Sequence, residues 1–170
     1  MTSRAKTIIT VLMLALVLLA CDRIKNNEVP SYTVRINLGT YAMWNTYGVP
    51  GVGDFRYFNR DKRLPANFPY DVNTYTGFGG VLLICGMDAS AGGYGPIAFD
   101  ASCPVEVSPD VAVTVDASNL DAVCPKCGSR YDVLMGGGGP KSGQALTNKF
   151  GLRPVKVRAS QNGGYIITSY

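Results

Sequence analysis

The stretch from Cys124 to Asp132, with the sequence CPKCGSRYD, constrains the fold more than any other part of this 170-residue chain. Two cysteines separated by two residues form a common half-site for tetrahedral, sulfur-rich metal coordination. The residues after Cys127 (Gly-Ser-Arg-Tyr-Asp-Val-Leu) predict a turn followed by a strand, which places the motif on a loop of a β structure. A thioredoxin-like redox role is disfavoured, because that chemistry needs a helix N-terminus beside the thiol. The chain contains no histidine, so it supplies no imidazole ligand.

Residues 1–20 have the pattern of a signal peptide. Two basic residues precede an almost entirely apolar run from Ile8 to Ala20, which is too short to span a bilayer comfortably. The run ends in the sequence LLAC at Leu18 to Cys21, which resembles the lipobox of bacterial lipoproteins. The resemblance implies acylation of Cys21 and an outer- or inner-membrane lipoprotein of the cell envelope, facing the periplasm or the exterior. The alternatives are a weak membrane anchor or an ordinary cleaved signal followed by a chance cysteine.

The remaining chain has the size of a single domain. Cleavage before Cys21 would leave 150 residues with 14 basic and 12 acidic side chains. Residues 21–30 are polar and predict a tether between the lipid and a β domain at residues 31–170. No run of Lys and Arg interleaves with aromatic residues, so nucleic acid is not expected as a partner.

The patterning of this domain predicts an all-β fold. The domain is rich in Gly, Pro, Tyr and Val and poor in runs with helical periodicity. Alternating or apolar runs between turn residues predict strands at Tyr32–Leu38, Val81–Cys85, Tyr94–Phe99, Val111–Val115, Asp132–Leu134, Leu152–Val157 and Tyr165–Thr168. Residues 86–93 predict a hairpin turn, and residues 136–143 predict a Gly/Pro loop. Residues 40–76 predict irregular loops with one short strand near Phe55 to Phe58, either packed over the sheet or used to bind a partner.

Three segments in this order resemble a Rieske [2Fe-2S] domain. The first runs from Gly-Val-Leu-Leu-Ile at residues 80–84 to Ala-Ser-Cys-Pro at residues 101–104, like the strand pair before that family's first cluster loop. The second is CPKCGSRYD, which matches the family's second loop, C-P-x-H-G-S-x-[FY]-D, except at Cys127. The third, at residues 139–157, is similar to the proline loop and the strand after it.

The resemblance implies a specific architecture and specific contacts to the sulfurs. The expected fold is Rieske-like, with small antiparallel sheets, two cysteine-bearing loops and a Gly/Pro loop. Ser129 and Tyr131 stand where family members hydrogen-bond the cluster sulfurs and so tune the potential.

The ligands that the family uses are only partly present. Rieske domains hold their cluster with two cysteines and two histidines, supplied by a C-x-H loop and a C-x-x-H loop. Here the loops are Cys103-Pro104-Val105 and Cys124-Pro125-Lys126-Cys127, which leaves three thiols. The resemblance implies that Cys103, Cys124 and Cys127 would bind an atypical [2Fe-2S] cluster or zinc, with a small molecule or Glu106 as fourth ligand. The alternative is that no metal is bound.

The position of Cys85 and the oxidation state of the cysteines bear on whether a metal is bound. Cys85 would lie about 16 Å along its strand from the first loop, at ~3.3 Å per residue, which predicts a buried small hydrophobe and not a fourth ligand. Lipoproteins fold outside the cytoplasm, where thiols tend to be oxidised. A metal-free pocket would then contain a disulfide, joining Cys103 to Cys124 or Cys127, or Cys124 to Cys127.

The missing imidazoles and the export signal favour a Rieske-like domain that has lost its cluster and acts as a binding or structural module of the cell envelope. The alternative is an electron-transfer protein with a thiolate-bound [2Fe-2S] cluster or zinc, which would act with an envelope redox partner. An enzyme is disfavoured, because the chain has neither a histidine for acid–base chemistry nor a Gly-x-Ser-x-Gly nucleophile motif.

Overall fold

The computed structural model describes residues 23–169, and the prediction of an all-β fold is confirmed. The predicted signal peptide and the lipid-bearing Cys21 lie outside the described residues. The strands are β1 (Val34–Thr40), β2 (Phe55–Phe58), β3 (Tyr75–Thr76), β4 (Val81–Asp88), β5 (Gly93–Asp100), β6 (Thr114–Val115), β7 (Asp121–Val123), β8 (Arg130–Asp132), β9 (Gly139–Ser142), β10 (Pro154–Ala159) and β11 (Gly163–Thr168). Two short helices, α1 (Tyr41–Tyr47) and α2 (Gln144–Asn148), complete the described structure. None of the helices in residues 23–169 is long and apolar enough to cross a membrane.

The strands form two antiparallel sheets. A main sheet of seven strands has the order β2-β4-β5-β10-β11-β1-β3, and a small sheet of four strands has the order β6-β7-β8-β9. In sequence, the small sheet is inserted between β5 and β10 of the main sheet. The two cysteine-bearing loops therefore both belong to this insertion, because one connects β5 to β6 and the other connects β7 to β8.

Strand β4 separates two apolar cores, which explains its uninterrupted hydrophobic sequence. Its side chains alternate between the two faces of the main sheet, as in any β-strand. Val81, Leu83 and Cys85 contribute to a first core, which α1 helps to cover. Leu82 and Ile84 contribute to a second core between the main sheet and the small sheet. Burying each of these Leu and Ile side chains contributes about 1.5–3 kcal/mol, so β4 is a major source of the stability on which the loops rest.

The hairpin of β4 and β5 is longer than its sequence predicts. The pairing continues past Cys85 to Asp88 and Gly93, so residues 86–88 are strand and the predicted turn at 86–93 is wrong in its bounds. The sequence predicts Gly86 in the turn, but this residue lies where two chain segments approach closely. A Cβ atom there would lie 2.9 Å from the carbonyl oxygens of Val133 and Leu134. The N–H of Met87 donates to the Leu134 carbonyl over 2.7 Å, which binds the hairpin to the loop after β8.

Two further elements differ from the sequence prediction. The short strand at Phe55–Phe58 is present with those bounds, but α1 occupies a region where only irregular loops were expected. Thr40 caps this helix by accepting a hydrogen bond from the N–H of Met43 over 3.3 Å. The predicted Gly/Pro loop contains β9, which pairs with β8 at the edge of the small sheet.

The predicted tether packs on the domain within the described residues. Lys25 forms a parallel bridge with Phe150, and Val29 is buried. The Arg153 guanidinium donates to the Val29 carbonyl over 2.6 Å and to the Asn27 carbonyl over 3.2 Å. Residues 25–29 of the predicted tether are therefore held against the β domain.

Candidate functional site

The first cysteine-bearing loop is fixed at its root by a buried carboxylate. Asp100 ends β5 and accepts hydrogen bonds from the backbone N–H groups of Phe78 (2.9 Å), Gly79 (3.1 Å) and Ser102 (2.9 Å). Three residues later, the Cys103 carbonyl accepts from the N–H groups of Glu106 and Val107, which closes a tight turn. Cys103 is thus presented on a turn whose start is held by three charge-assisted hydrogen bonds. The sequence analysis missed Asp100, because nothing in the sequence marks it as different from other acidic residues before loops.

The second loop is a closed turn that brings its two cysteines together. The N–H of Cys124 donates to the Ser129 carbonyl (2.9 Å), and the N–H of Gly128 donates to the Cys124 carbonyl (3.0 Å). Gly128 has a φ of +67°, in the left-handed region where glycine carries no steric penalty. The N–H of Cys127 points at Cys124 Sγ over 3.5 Å. The Cys-x-x-Cys spacing therefore produces a turn with a backbone donor aimed at a sulfur.

The two loops bring three sulfurs into one pocket. The sulfur atoms of Cys103, Cys124 and Cys127 all lie within 4.8 Å of one another. The distance between Cys103 Sγ and Cys127 Sγ is 3.7 Å. Cys103 and Cys124 are fully buried in the second core, whereas Cys127 is partly exposed at the surface. We call this group the three-thiol pocket.

The two residues predicted to contact the sulfurs lie beside them. The Tyr131 hydroxyl is 3.4 Å from Cys103 Sγ, and Tyr131 is fully buried. The Cys127 thiol donates to Ser129 Oγ over 3.3 Å, and Ser129 Oγ also accepts from the N–H of Ala145 over 3.1 Å. Ala145 lies in α2, so this hydrogen bond connects the pocket to the segment after β9.

The thiols differ in how readily they ionise. Burial raises the pKa of Cys103 to about 12. Burial also acts to raise the pKa of Cys127, but hydrogen bonds with Ser129 and with the two other thiols outweigh it, and the pKa is lowered overall. Burial and the contact with Cys103 raise the pKa of Tyr131 far above its usual range, so the phenol stays protonated and can donate to a thiolate. The pKa of Cys127 therefore lies below that of Cys103, which stays neutral in the metal-free pocket.

The rim of the pocket contains Val105 and an ion pair. Val105 packs against the second core together with Cys127. Glu106 and Lys126, one from each cysteine-bearing loop, form an ion pair of 2.5 Å. The Glu106 side chain is only 14% exposed, whereas that of Lys126 is 67% exposed. Glu106, the suggested fourth ligand, is thus engaged by Lys126 and is not one of the converging groups.

Cys85 does not belong to the pocket. It lies in the first core, on the opposite face of β4 from Leu82 and Ile84, and is 7% exposed. The prediction that Cys85 is a buried small hydrophobe is confirmed. All four cysteines within residues 23–169 are free thiols in this structure. None of the three predicted pairings is formed here, and Cys103 Sγ and Cys127 Sγ are 3.7 Å apart, well beyond the ~2.05 Å of a disulfide bond.

Comparisons with known proteins identify no relative: no family model matches the chain, and neither the curated proteins nor the solved structures contain a similar one.

Proposed function

We propose that this protein is a lipid-anchored module of the cell envelope, built on a Rieske-like β domain that holds no [2Fe-2S] cluster. The order of the structural parts supports the Rieske-like description. A long hairpin leads into a cysteine loop, a second cysteine loop connects β7 to β8, a Gly-Pro strand follows, and two strands of the main sheet close the domain. The lipobox-like sequence at Leu18–Cys21 supports the anchor.

One observation carries the part of the proposal that concerns the cluster. A Rieske cluster needs two ligands on each iron, and position 105 would supply one of them. Val105 has no ligand atom and packs against the second core. The three available sulfurs lie within 4.8 Å of one another, whereas ligands divided between two irons are held apart by the core of the cluster. These two observations favour a pocket without a binuclear cluster.

A module without the cluster would act by binding or by its structure, not by catalysis. The chain has no histidine, and we assign no catalytic residue to the pocket. The partners implied by the proposal are the bilayer, through acylated Cys21, and another protein of the envelope. Hydrogen bonds inside each loop fix the two turns, and the Glu106–Lys126 ion pair joins one loop to the other.

A second candidate function is electron transfer through a thiolate-bound metal or cluster. The contacts of Ser129 and Tyr131 with the sulfurs favour it, because hydrogen bonds to cluster sulfurs tune reduction potentials. In this candidate a small molecule would complete the ligand set. An all-thiolate cluster would have a potential on the order of −400 mV, close to that of plant-type ferredoxins.

The two candidates differ in iron content. The full-length chain would be extracted from membranes in detergent, without a histidine tag and without exposure to oxygen. Visible absorption, iron and sulfide content, and free thiols would then be measured. We expect a colourless protein without stoichiometric iron. A brown protein with two irons per chain would overturn the proposal and support electron transfer.

A further inference from the structure

We propose that the three-thiol pocket binds a single Zn²⁺ ion through Cys103, Cys124 and Cys127, with a solvent molecule at the fourth position. This inference deepens the proposed function and rests on the absence of a binuclear cluster from the pocket. It assigns a chemically different occupant to the loops: one closed-shell ion without redox chemistry, in place of two irons. The ion would connect the β5–β6 loop to the β7–β8 loop.

The distances between the sulfurs fit one tetrahedral ion. Zinc binds thiolate sulfur at about 2.3 Å, and two ligands at a tetrahedral angle are then about 3.8 Å apart. Cys103 Sγ and Cys127 Sγ are 3.7 Å apart. Cys124 Sγ lies within 4.8 Å of both, so a shift of about 1 Å or less in its side chain would complete the three-sulfur face of the tetrahedron.

The pocket already contains the hydrogen-bond donors that thiolate ligands need. The backbone N–H of Cys127 points at Cys124 Sγ, and the Tyr131 hydroxyl contacts Cys103 Sγ. The Ser129 hydroxyl contacts Cys127 Sγ, and it can turn to donate once that sulfur is a thiolate. Each of the three sulfurs thus has its own donor. Such outer contacts orient ligands and tune the affinity for the metal.

The charges and the open side of the pocket indicate what the fourth ligand is. Three thiolates around Zn²⁺ give a net charge of −1, and the cationic Lys126 lies on the same turn, between Cys124 and Cys127. The Glu106 carboxylate is held by Lys126, and Val105 cannot ligate. Cys127 is the partly exposed member of the pocket, so solvent can reach the ion from its side. Zinc sites with three protein ligands commonly hold water at the fourth position.

A disulfide and the zinc ion exclude each other in this pocket. Any disulfide among the three cysteines would remove two of the three ligands. The sulfurs of Cys103 and Cys127, 3.7 Å apart, would need to approach by more than 1 Å to form one. The reduced arrangement seen in the structure is therefore the one that a metal ion would select.

The test uses the reduced full-length chain in detergent, free of histidine tags and of excess reductant, and titrated anaerobically with Zn²⁺ against a chromophoric chelator. X-ray absorption at the zinc edge would report the ligands of the bound ion. We expect one zinc per chain, three sulfurs at about 2.3 Å and one oxygen at about 2.0–2.2 Å. We also expect zinc to raise the unfolding temperature, because the ion binds the folded state.

Two variants identify the ligands. Cys127→Ser changes the partly exposed thiol, so it disturbs the fold least of the three. We expect it to weaken zinc binding by about 100-fold or more, which exceeds the ~10–100-fold loss typical of removing a residue that only hydrogen-bonds a ligand. Cys85→Ala is the control, because it removes a buried thiol from the first core, and we expect unchanged zinc affinity. A colourless, reduced wild-type protein that binds no zinc would overturn this inference alone. Equal affinity of Cys127→Ser and wild type would overturn it too, whereas a brown protein with two irons would overturn the proposed function as well.

Discussion

Replacing Tyr131 with phenylalanine would remove one hydroxyl group from the three-thiol pocket and leave the packing of the ring unchanged. The ring is fully buried in the second core, and its hydroxyl contacts Cys103 Sγ over 3.4 Å. Because burial keeps the phenol protonated, the hydroxyl can donate to the sulfur whether Cys103 is a thiol or a zinc-bound thiolate. The hydrogen bond is therefore present both in the metal-free protein and in the zinc-bound protein, and it is stronger in the zinc-bound protein, where the sulfur is charged.

The size of the effect follows from that difference. Loss of a hydrogen bond between neutral groups costs about 0.5–1.5 kcal/mol, and loss of one to a charged group costs about 1.5–3 kcal/mol. The metal-free protein should therefore lose about 1 kcal/mol of its free energy of unfolding. The zinc-bound form should lose about 1–1.5 kcal/mol more, which corresponds to an affinity for zinc about tenfold weaker.

Tyr57→Phe is a matched control in the same core. The Tyr57 hydroxyl accepts a hydrogen bond from the N–H of Val115 over 2.8 Å, and its ring also packs on the second core. This variant should lose a similar free energy of unfolding while binding zinc with unchanged affinity. Urea denaturation of the metal-free proteins and competition titration with Zn²⁺ measure the two quantities. Equal zinc affinities of Tyr131→Phe and Tyr57→Phe would refute the role of the Tyr131 hydroxyl.

Three further predictions test the scaffold, the resemblance and the anchor. Asp100→Asn should lower the free energy of unfolding by about 1–3 kcal/mol, because the amide NH₂ cannot accept one of the three backbone hydrogen bonds. Urea denaturation measures this loss, with the exposed variant Asp110→Asn as control. Equal stabilities of the two variants would contradict the prediction. The double variant Val105→His, Cys127→His restores the ligand set of a Rieske site, so it should take up two irons per chain on reconstitution with iron and sulfide. A folded variant that takes up no iron would count against the Rieske-like proposal. Cys21→Ser should move the protein from the membrane fraction to the soluble fraction, and its retention in the membrane would show that the anchor is not the lipid.

The local parts of the pocket were predictable from the sequence because they depend on short spacings. Two cysteines three positions apart, followed by glycine and serine, form a closed turn whose hydrogen bonds lie within residues 124–129. The alternation after the turn places Ser129, directly before β8, and Tyr131, within β8, on the same side of the chain, which explains why both reach the sulfurs. The position of Cys103 beside the other two cysteines could be predicted only from the family resemblance, because Cys103 lies on a different loop.

The elements that the sequence analysis missed depend on contacts between distant segments. Gly86 suggests a turn by composition, but it pairs with Gly95 within β4, and the carbonyl oxygens of Val133 and Leu134 leave no space for a Cβ atom there. Pro140 suggests a loop, yet it lies in β9, an edge strand, where proline is tolerated. The helix α1 did have a local signal in Thr40, which the aromatic content of the following residues obscured.

Burial separates the positions that determine the fold of the pocket from those that determine its chemistry. Cys103 and Cys124 are fully buried in the second core, and a change at either would create a cavity or bury an unsatisfied polar group. Val105 and Cys127 are only partly buried and lie at the rim of the same core. These are also the two positions at which the chain departs from the Rieske pattern. Under the two proposals, valine and cysteine at these rim positions would give a site for a single ion in place of a two-iron cluster, while the backbone hydrogen bonds inside the two loops would depend on neither side chain.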